Sequence, residues 1–377
     1  MSTPVTAKFD IANADLAGLS TFVVEVLKEK PFRAAQIFQW LHLKGVTQFE
    51  QMTDLSKPLR QKLAEQAFIR TIEKDLEQRS KDGTVKYRFK THDGALIESV
   101  YMPSKDRKTL CVSTQVGCAM ACRFCATAQL GLKRHLTASE IVAQVHRVNA
   151  LIRADEKLST DRPLTNLVFM GMGEPLHNFE NVKKALSILQ DEKGPNFSHR
   201  HITVSTVGLV PMIEKFAAET QAKLAISLNA SDDATRDKIM PVNKRWKIAD
   251  LIAAVRKFPS RWGRRITFEY VLMRGVNDSD ADIERLAKLL DGVPAKVNVI
   301  PYNDNPGLGF QSVDDNRAET FQKALIERGV TAMVRQNRGR DIAAACGQLA
   351  NQGGASGKPL KANATEPTDL TFSSPEG

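Results

Sequence analysis

From residue 108 onward the chain alternates short strand-like runs with longer amphipathic ones. The strand candidates are TLCVSTQV (109–116), TNLVFMG (165–171), HITVST (201–206), AKLAISL (222–228), RITFEYVLM (265–273), AKVNVIP (295–301) and TAMVRQ (331–336). Between them lie ASEIVAQVHRVNALI, NVKKALSILQ, VPMIEKFAAE, IADLIAAVRKF, ADIERLAKLLD and RAETFQKALIERG, whose apolar residues recur at helical spacing. Parallel neighbours need a long crossover, and a helix is the usual one, so this alternation points to parallel βα units. The expected fold is α/β, a full or partial barrel, with a doubly wound sheet left open by sequence alone.

Residues 1–75 read differently. EVLKEKPFRAAQIFQWLHLKG has helical spacing and a stop at Gly45, and SKPLRQKLAEQA opens with a cap-like Ser56 and Pro58 in the first turn. A small helical domain is expected there. Residues 76–107 contain TVKYRFKTHDGALIESVYMP, an alternating run around a His-Asp-Gly turn, and read as a β-hairpin linker. The catalytic domain is then expected over 108–350. Residues 351–377, rich in Gly, Pro and Ser, read as a disordered tail.

The cysteines narrow the chemistry. Of five, Cys111, Cys118, Cys122 and Cys125 lie within fifteen residues and Cys346 stands alone downstream. An odd count, with no basic start and apolar stretch at the N-terminus, argues against a secreted disulfide framework and for a cytosolic location. Cys118, Cys122 and Cys125 form C-x3-C-x2-C. A zinc site would need a fourth ligand at a paired spacing, and none is visible. Three thiolates can instead hold an iron–sulfur cluster and leave one iron open to a substrate. Other polar residues fall at strand ends, where barrel enzymes do their chemistry: Gly173 and Glu174 in GMGEP, Ser205, Ser227, Asn229, Tyr302 and Asn303.

The spacing of the three cysteines, with Phe124 before the last, resembles the signature of the radical S-adenosylmethionine (SAM) enzymes. Three longer stretches, CVSTQVGCAMACRFCATAQLG, VFMGMGEPLHN and GRDIAAACGQL, together resemble the RlmN family of dual-specificity RNA methyltransferases. The resemblance runs from about residue 20 to 350. It implies a radical SAM partial barrel, and methylation of C2 of one adenosine in 23S rRNA and of one beside the tRNA anticodon. It implies one [4Fe-4S] cluster on Cys118, Cys122 and Cys125, and two SAM molecules per turnover. One methylates Cys346. The other yields a 5′-deoxyadenosyl radical that takes a hydrogen atom from that methyl group. The methylene radical adds to C2, Cys111 helps remove the C2 proton, and a Cys111–Cys346 disulfide frees the product. Glu98 matches the position usually assigned as proton acceptor. The SAM contacts carried over are Gly173, Glu174, Ser205, Ser227, Leu228, Asn229 and Asn303. Asn229 departs from the family, which usually has His there.

The net charge of +10 suits a polyanionic partner such as 23S rRNA or tRNA. Candidate phosphate contacts are Lys57, Arg60, Lys133, Arg134, Arg200, Lys244 and Arg245. An electron donor and a thiol reductant are implied. No run approaches the ~18 apolar residues of a membrane span, and a monomer is expected. The rivals are a Cfr-type enzyme that methylates adenine C8, a non-catalytic zinc-bound RNA-binding protein, and a radical SAM enzyme for a small molecule or protein.

Overall fold

The structure is a computed structural model that describes residues 8–155, 163–259 and 265–350. The expected tail, 351–377, lies outside the described residues.

The N-terminal segment folds as small helices tied by a short parallel pair, β1 (Phe9–Asp10) and β2 (Ala67–Phe68). Helices α1 (Leu16–Thr21), α2 (Phe32–Phe38) and α3 (Lys57–Gln66) lie between them. The starts of α1 and α3 have a local cause. Asp15 accepts from Gly18 N (2.8 Å), and Ser56 accepts from Leu59 N (3.4 Å) with Pro58 in the first turn. Leu19, Val23, Ile37, Phe38, Leu59 and Leu63 are buried. The chain leaves the turn after α2 at Gly45, whose φ of 68° suits a residue without Cβ.

Three antiparallel strands follow: β3 (Glu73–Arg79), β4 (Val85–Lys90) and β5 (Leu96–Pro103). The hairpin β4–β5 turns at the His-Asp-Gly sequence. Strand β3 is a third strand beyond it, and the expected boundary at 75/76 falls inside it. These strands do not stand apart as a linker. They continue one ten-stranded sheet through β6 (Lys108–Cys111).

The run expected as one strand over 109–116 divides. After β6 the chain breaks and forms β7 (Gln115–Gly117), paired antiparallel with β8 (Leu132–His135). This ribbon brackets the cysteine loop. Helix α4 (Ala138–Ala154) then begins at a capping box between Thr137 and Glu140. The barrel wall continues as β9 (Asn166–Phe169), α5 (Phe179–Gln190), β10 (Ile202–Thr206), α6 (Val210–Glu219) and β11 (Lys223–Ser227). Helices α7 (Asp233–Ile239) and α8 (Ile248–Lys257) come next, then β12 (Ile266–Leu272), α9 (Asp280–Leu290), β13 (Ala295–Pro301), α10 (Asp315–Glu327) and β14 (Ala332–Val334).

The parallel strands stand in chain order, β6-β9-β10-β11-β12-β13-β14. A doubly wound sheet reverses its order at a switch point. A sheet that adds each strand on the same side is a barrel wall, so the doubly wound alternative falls away. The wall stays open, with β14 at one edge and β3 at the other. Central strands are apolar on one face, and the opposite face turns Ser205, Ser227 and Glu269 toward the interior of the wall. Val204, Leu224, Phe268 and Val297 are buried, and each such side chain contributes about 1.5–3 kcal/mol.

The chain after β14 bridges the opening. Arg338 donates to Pro103 O (2.6 Å), Gly339 N to Asp82 (2.9 Å), and Ser80 Oγ to Asp341 (2.5 Å). This return carries Cys346 back over β5 and β6. Among the described residues no helix is long and apolar enough to cross a membrane.

Candidate active site

Two cavities open at the carboxyl ends of the parallel strands and share a wall. The inner one, about 150 Å³, is lined by Cys118, Cys122 and Cys125, by Gly173, Glu174, Ser205, Ser227 and Asn229, and by Glu269 and Tyr302. The outer one, about 290 Å³, is lined by Cys111, Val100, Thr109, Val168 and Leu349, with Arg107 and Arg338. Cys125, Met170, Arg335, Cys346 and Gly347 line both. Eight of the expected SAM-side and cluster positions thus meet in one space, and Cys346 stands between that space and Cys111.

The cysteine loop is held at both ends. Cys118 N donates to Gly131 O (3.0 Å), and Ala126 N donates to Gly347 O (2.7 Å). Ala121 takes a positive φ of 53°, which an alanine adopts only when its surroundings impose it. Phe124 O accepts from Tyr302 OH and Asn305 Nδ2, both at 3.3 Å. Burial pushes all three thiols up, and neighbouring cysteines push Cys118 and Cys122 further. Such thiols become thiolates only against a strong positive centre. Among the described residues no three Cys, His, Asp or Glu side chains converge on a single-ion site. The three thiols surround a cavity instead. That fits a cluster in which each thiolate holds its own iron, and the side facing Gly173 and Glu174 is left for a further ligand.

Glu174 sits at the head of the inner cavity. Its Oε1 accepts from Leu176 N (3.0 Å) and its Oε2 from Val207 N (2.8 Å), while its own N–H donates to Gln115 Oε1 (2.7 Å). The other end of the buried Gln115 amide donates to Nδ1 of His135 (2.9 Å) and of His177 (3.2 Å). Gly173 beside it has φ 99°, and a Cβ there would stand 2.5 Å from Gln115 Cβ. Glycine is therefore required by the close approach to Gln115 as well as by the turn.

Burial raises the Glu174 carboxyl to about 7, against the backbone hydrogen bonds that favour its charge. A carboxyl raised on folding contributes stability that is complete below its unfolded value of about 4.3 and is lost as pH rises through about 7. Protein free of cluster and SAM should lose roughly 3 kcal/mol between pH 5 and 8 on this account. Melting scans across that range should show the decline, and E174Q should flatten it. An equally steep decline in E174Q would assign it to another group.

The remaining expected positions divide. Ser205 Oγ donates to Phe169 O (2.8 Å) at the cavity edge. Asn229 adopts φ 55°, a conformation asparagine tolerates better than most residues. Its Oδ1 accepts from Val271 N (2.8 Å), so the amide ties β11 to β12 where the family usually has an imidazole. Leu228 and Asn303 line neither cavity. The Leu228 side chain is in the core. Asn303 sits behind the wall and donates to Cys346 O (3.4 Å). Glu98 also lines neither cavity, and its carboxylate accepts from Ala350 N (3.1 Å). Among the phosphate candidates, Arg134 is engaged by Asp93 and Glu140, and Arg60 by Glu50 O. Lys57, Lys133, Arg200, Lys244 and Arg245 are exposed.

Burial pushes the Cys111 thiol up to about 12, and Cys346 beside it adds to this. The Cys346 thiol is raised by the protein around it and lowered by Arg335. Arg335 and Glu269 were not among the sequence candidates. Glu269 Oε1 accepts from Asn298 Nδ2 (2.9 Å), while its buried Oε2 has no hydrogen-bond partner among the described residues. The signal for both was available: Glu269 is a charge in the middle of a largely apolar strand, and Arg335 directly follows the last strand. Arg236 was also missed. It is fully buried and donates to the carbonyls of Leu228, Val207 and Ser227, holding the strand ends that form the cavity floor.

Residues 112–290 match the family model of the radical SAM superfamily, and residues 9–69 match that of the ribosomal RNA large subunit methyltransferase N-terminal domain. A radical SAM methyltransferase from Sphaerobacter thermophilus has the same fold, with a TM-score of 0.84 and 45% identity over 90% of this chain and 99% of that one. Fold and site define a radical SAM enzyme, the class that works with a [4Fe-4S] cluster and SAM. The chain is 65% identical to the dual-specificity RNA methyltransferase RlmN 2 of Myxococcus xanthus over 94% of each protein. It is 59% identical to RlmN of Anaeromyxobacter dehalogenans over 87% of this chain and 88% of that protein. It belongs to the RlmN family of dual-specificity RNA methyltransferases.

Proposed function

We propose that this enzyme methylates C2 of one adenosine in 23S rRNA and of the anticodon-adjacent adenosine in tRNA, with Cys346 as the methyl carrier. The observation that carries the reading is the place of Cys346 on the wall shared by the two cavities. A carrier must meet the methyl donor on one side and the acceptor base on the other.

Cys118, Cys122 and Cys125 would hold the [4Fe-4S] cluster. A cluster bound there would supply the electron that splits SAM into methionine and a 5′-deoxyadenosyl radical. Glu174 offers a carboxylate at the cavity head for an ammonium group, and Ser205, Ser227 and Asn229 offer polar contacts along one side. Cys346 takes a methyl group from a first SAM, and that methyl group gives up a hydrogen atom after a second SAM has bound. Two SAM molecules are thus consumed per turnover. Adenine C2 is electron-poor and does not attack a sulfonium methyl, which is why the carbon must arrive as a radical. Cys111 lines the outer cavity and takes the C2 proton. Its thiolate is hard to form in isolation, and Arg335 is the cation near both thiols that lowers this barrier. With the unpaired electron of the adduct returned to the cluster that would have supplied it, the Cys111 thiolate attacks the Cys346 sulfur; the S–C bond breaks, its electron pair stays on the carbon, which takes a proton to become the methyl group, and an external thiol reductant reopens the Cys111–Cys346 disulfide.

The target base must leave its stack to reach the outer cavity, and Arg107 and Arg338 at that cavity suit the flanking phosphates. The enzyme acts in the cytosol, as a monomer, with an external electron donor. The residues after the last cluster cysteine, ATAQLG, and Pro175 after Gly173-Glu174 favour C2 over the C8 chemistry of the Cfr type. Digestion of product RNA to nucleosides, with chromatography against 2-methyl- and 8-methyladenosine, should give only the 2-methyl isomer. The 8-methyl isomer as main product would overturn the assignment.

A further inference from the structure

Glu98 and Lys86 are charged residues in the middle of buried strands, and their partners explain why. Glu98 is wholly buried and Lys86 is 3% exposed. In the β4–β5 register Lys86 faces Val100 and Arg88 faces Glu98, so Lys86 and Glu98 are diagonal neighbours on one face. Val100 on that face is opposite Cys111 on β6. The pair therefore lies beside the reactive thiols without lining either cavity.

Each member reaches the returning C-terminal segment. Lys86 Nζ donates to Ala343 O (3.1 Å), and Glu98 Oε2 accepts from Ala350 N (3.1 Å). Glu98 Oε1 lies 3.5 Å from Lys86 Nζ. Ala343 and Ala350 stand on either side of Cys346. The residues between, Ala344, Ala345 and Gly347 among them, have little side chain with which to fix themselves by packing. Ala343 is held at φ 50°, a left-handed conformation that an alanine keeps only under outside restraint.

We propose that the Lys86–Glu98 pair is the latch that seats the Cys346 segment, so that Glu98 is a positioning residue and not a proton acceptor. This rests on the reading of Cys346 as methyl carrier. A proton acceptor has to come within hydrogen-bond reach of the proton it takes. The Glu98 oxygens turn to Ala350 N and Lys86, whereas Cys111 lines the cavity in question. A buried ion pair is a poor device for stability alone, and its best use is to select one arrangement. Here that arrangement places one sulfur between two cavities.

The test uses the full-length, cluster-loaded enzyme and the variants E98Q, E98A and K86M. Two quantities are read: amide hydrogen exchange of the peptide spanning 343–350, and turnover. E98A and K86M should speed exchange at least about tenfold, as expected when a buried tie to a local segment is lost, and turnover should fall with it. E98Q should stay within about fivefold of wild type, because its amide still accepts from Ala350 N and a buried lysine can turn neutral beside it. An E98Q enzyme as inactive as E98A, with exchange over 343–350 unchanged, would overturn the latch and return Glu98 to proton transfer. So would E98A with unchanged exchange. If the single variants fail to fold, the K86M/E98M double replaces the pair by apolar side chains of similar volume. It should fold with a loose segment, and full protection of 343–350 in it would equally overturn the proposal. Failure of the methyl-carrier reading looks different: wild-type Cys346 never gains a methyl group, while the contrast between E98Q and E98A in exchange persists.

Discussion

Cys346→Ala should abolish RNA methylation, lowering product by at least about 10⁴-fold, as removal of a covalent carrier does. The same protein should keep its iron and still cleave SAM. The structure separates these functions. Cys346 and Gly347 are themselves tied through backbone carbonyls: Asn303 donates to Cys346 O, and Asn305 Nδ2 and Ala126 N to Gly347 O. Removing one sulfur leaves them intact. Cys118, Cys122 and Cys125 sit on a loop of their own, braced by β7 and β8. Apart from Cys125, no other cysteine lines both cavities. Chromatography of digested RNA, run beside an assay for 5′-deoxyadenosine, reads both halves. Product at a tenth of the wild-type level would show that the methyl group reaches RNA without passing through Cys346.

The second large effect belongs to the cluster. Cys122→Ser should empty the site of iron and reduce both SAM cleavage and RNA methylation by at least about 10³-fold, since serine offers no thiolate. The fold should survive, because Cys122 O and Cys125 O accept from Gln129 and the loop ends are held by backbone bonds. Iron analysis and a melting curve on one preparation test this. Full iron content with SAM cleavage intact would remove Cys122 from the cluster. A wild-type protein that carries zinc and never cleaves SAM would restore the zinc-bound reading.

The fold was legible where periodicity is strong. The parallel strands β9 to β13 and the helices between them, α7 excepted, follow from runs of apolar residues long enough to show a period. Only the order of pairing, which no local pattern contains, was needed to choose a barrel wall over a doubly wound sheet. Short or polar elements escaped. Strand β8 reads LKRH and α7 reads DATRDKI; neither has an apolar face, and both are held by what they pack against. The break after Cys111 was hidden because VSTQV keeps strand-like residues while the chain turns away.

The site was legible in its cysteines and its glycine turn, where few residue types can serve. It was less so wherever a polar side chain acts through contacts made between separate elements. Arg236, Arg335, Gln115 and Glu269 hold backbone or face thiols, and their contacts cross between distant strands. Glu98 shows the converse case. Its sequence context marked it as a functional carboxylate, but its function depends on whether it faces the cavity or the returning chain, which only the three-dimensional register decides.

The central claim is that Cys346 carries the methyl group between a SAM-side cavity and an RNA-side cavity. Its most direct test is the mass of the peptide holding Cys346, taken from protein purified without oxygen and containing about four irons per chain. After incubation with SAM labelled in its methyl group, the account expects one labelled methyl on Cys346, which disappears into RNA on addition of substrate. An unmodified Cys346 in an enzyme that still makes labelled methyladenosine would contradict it.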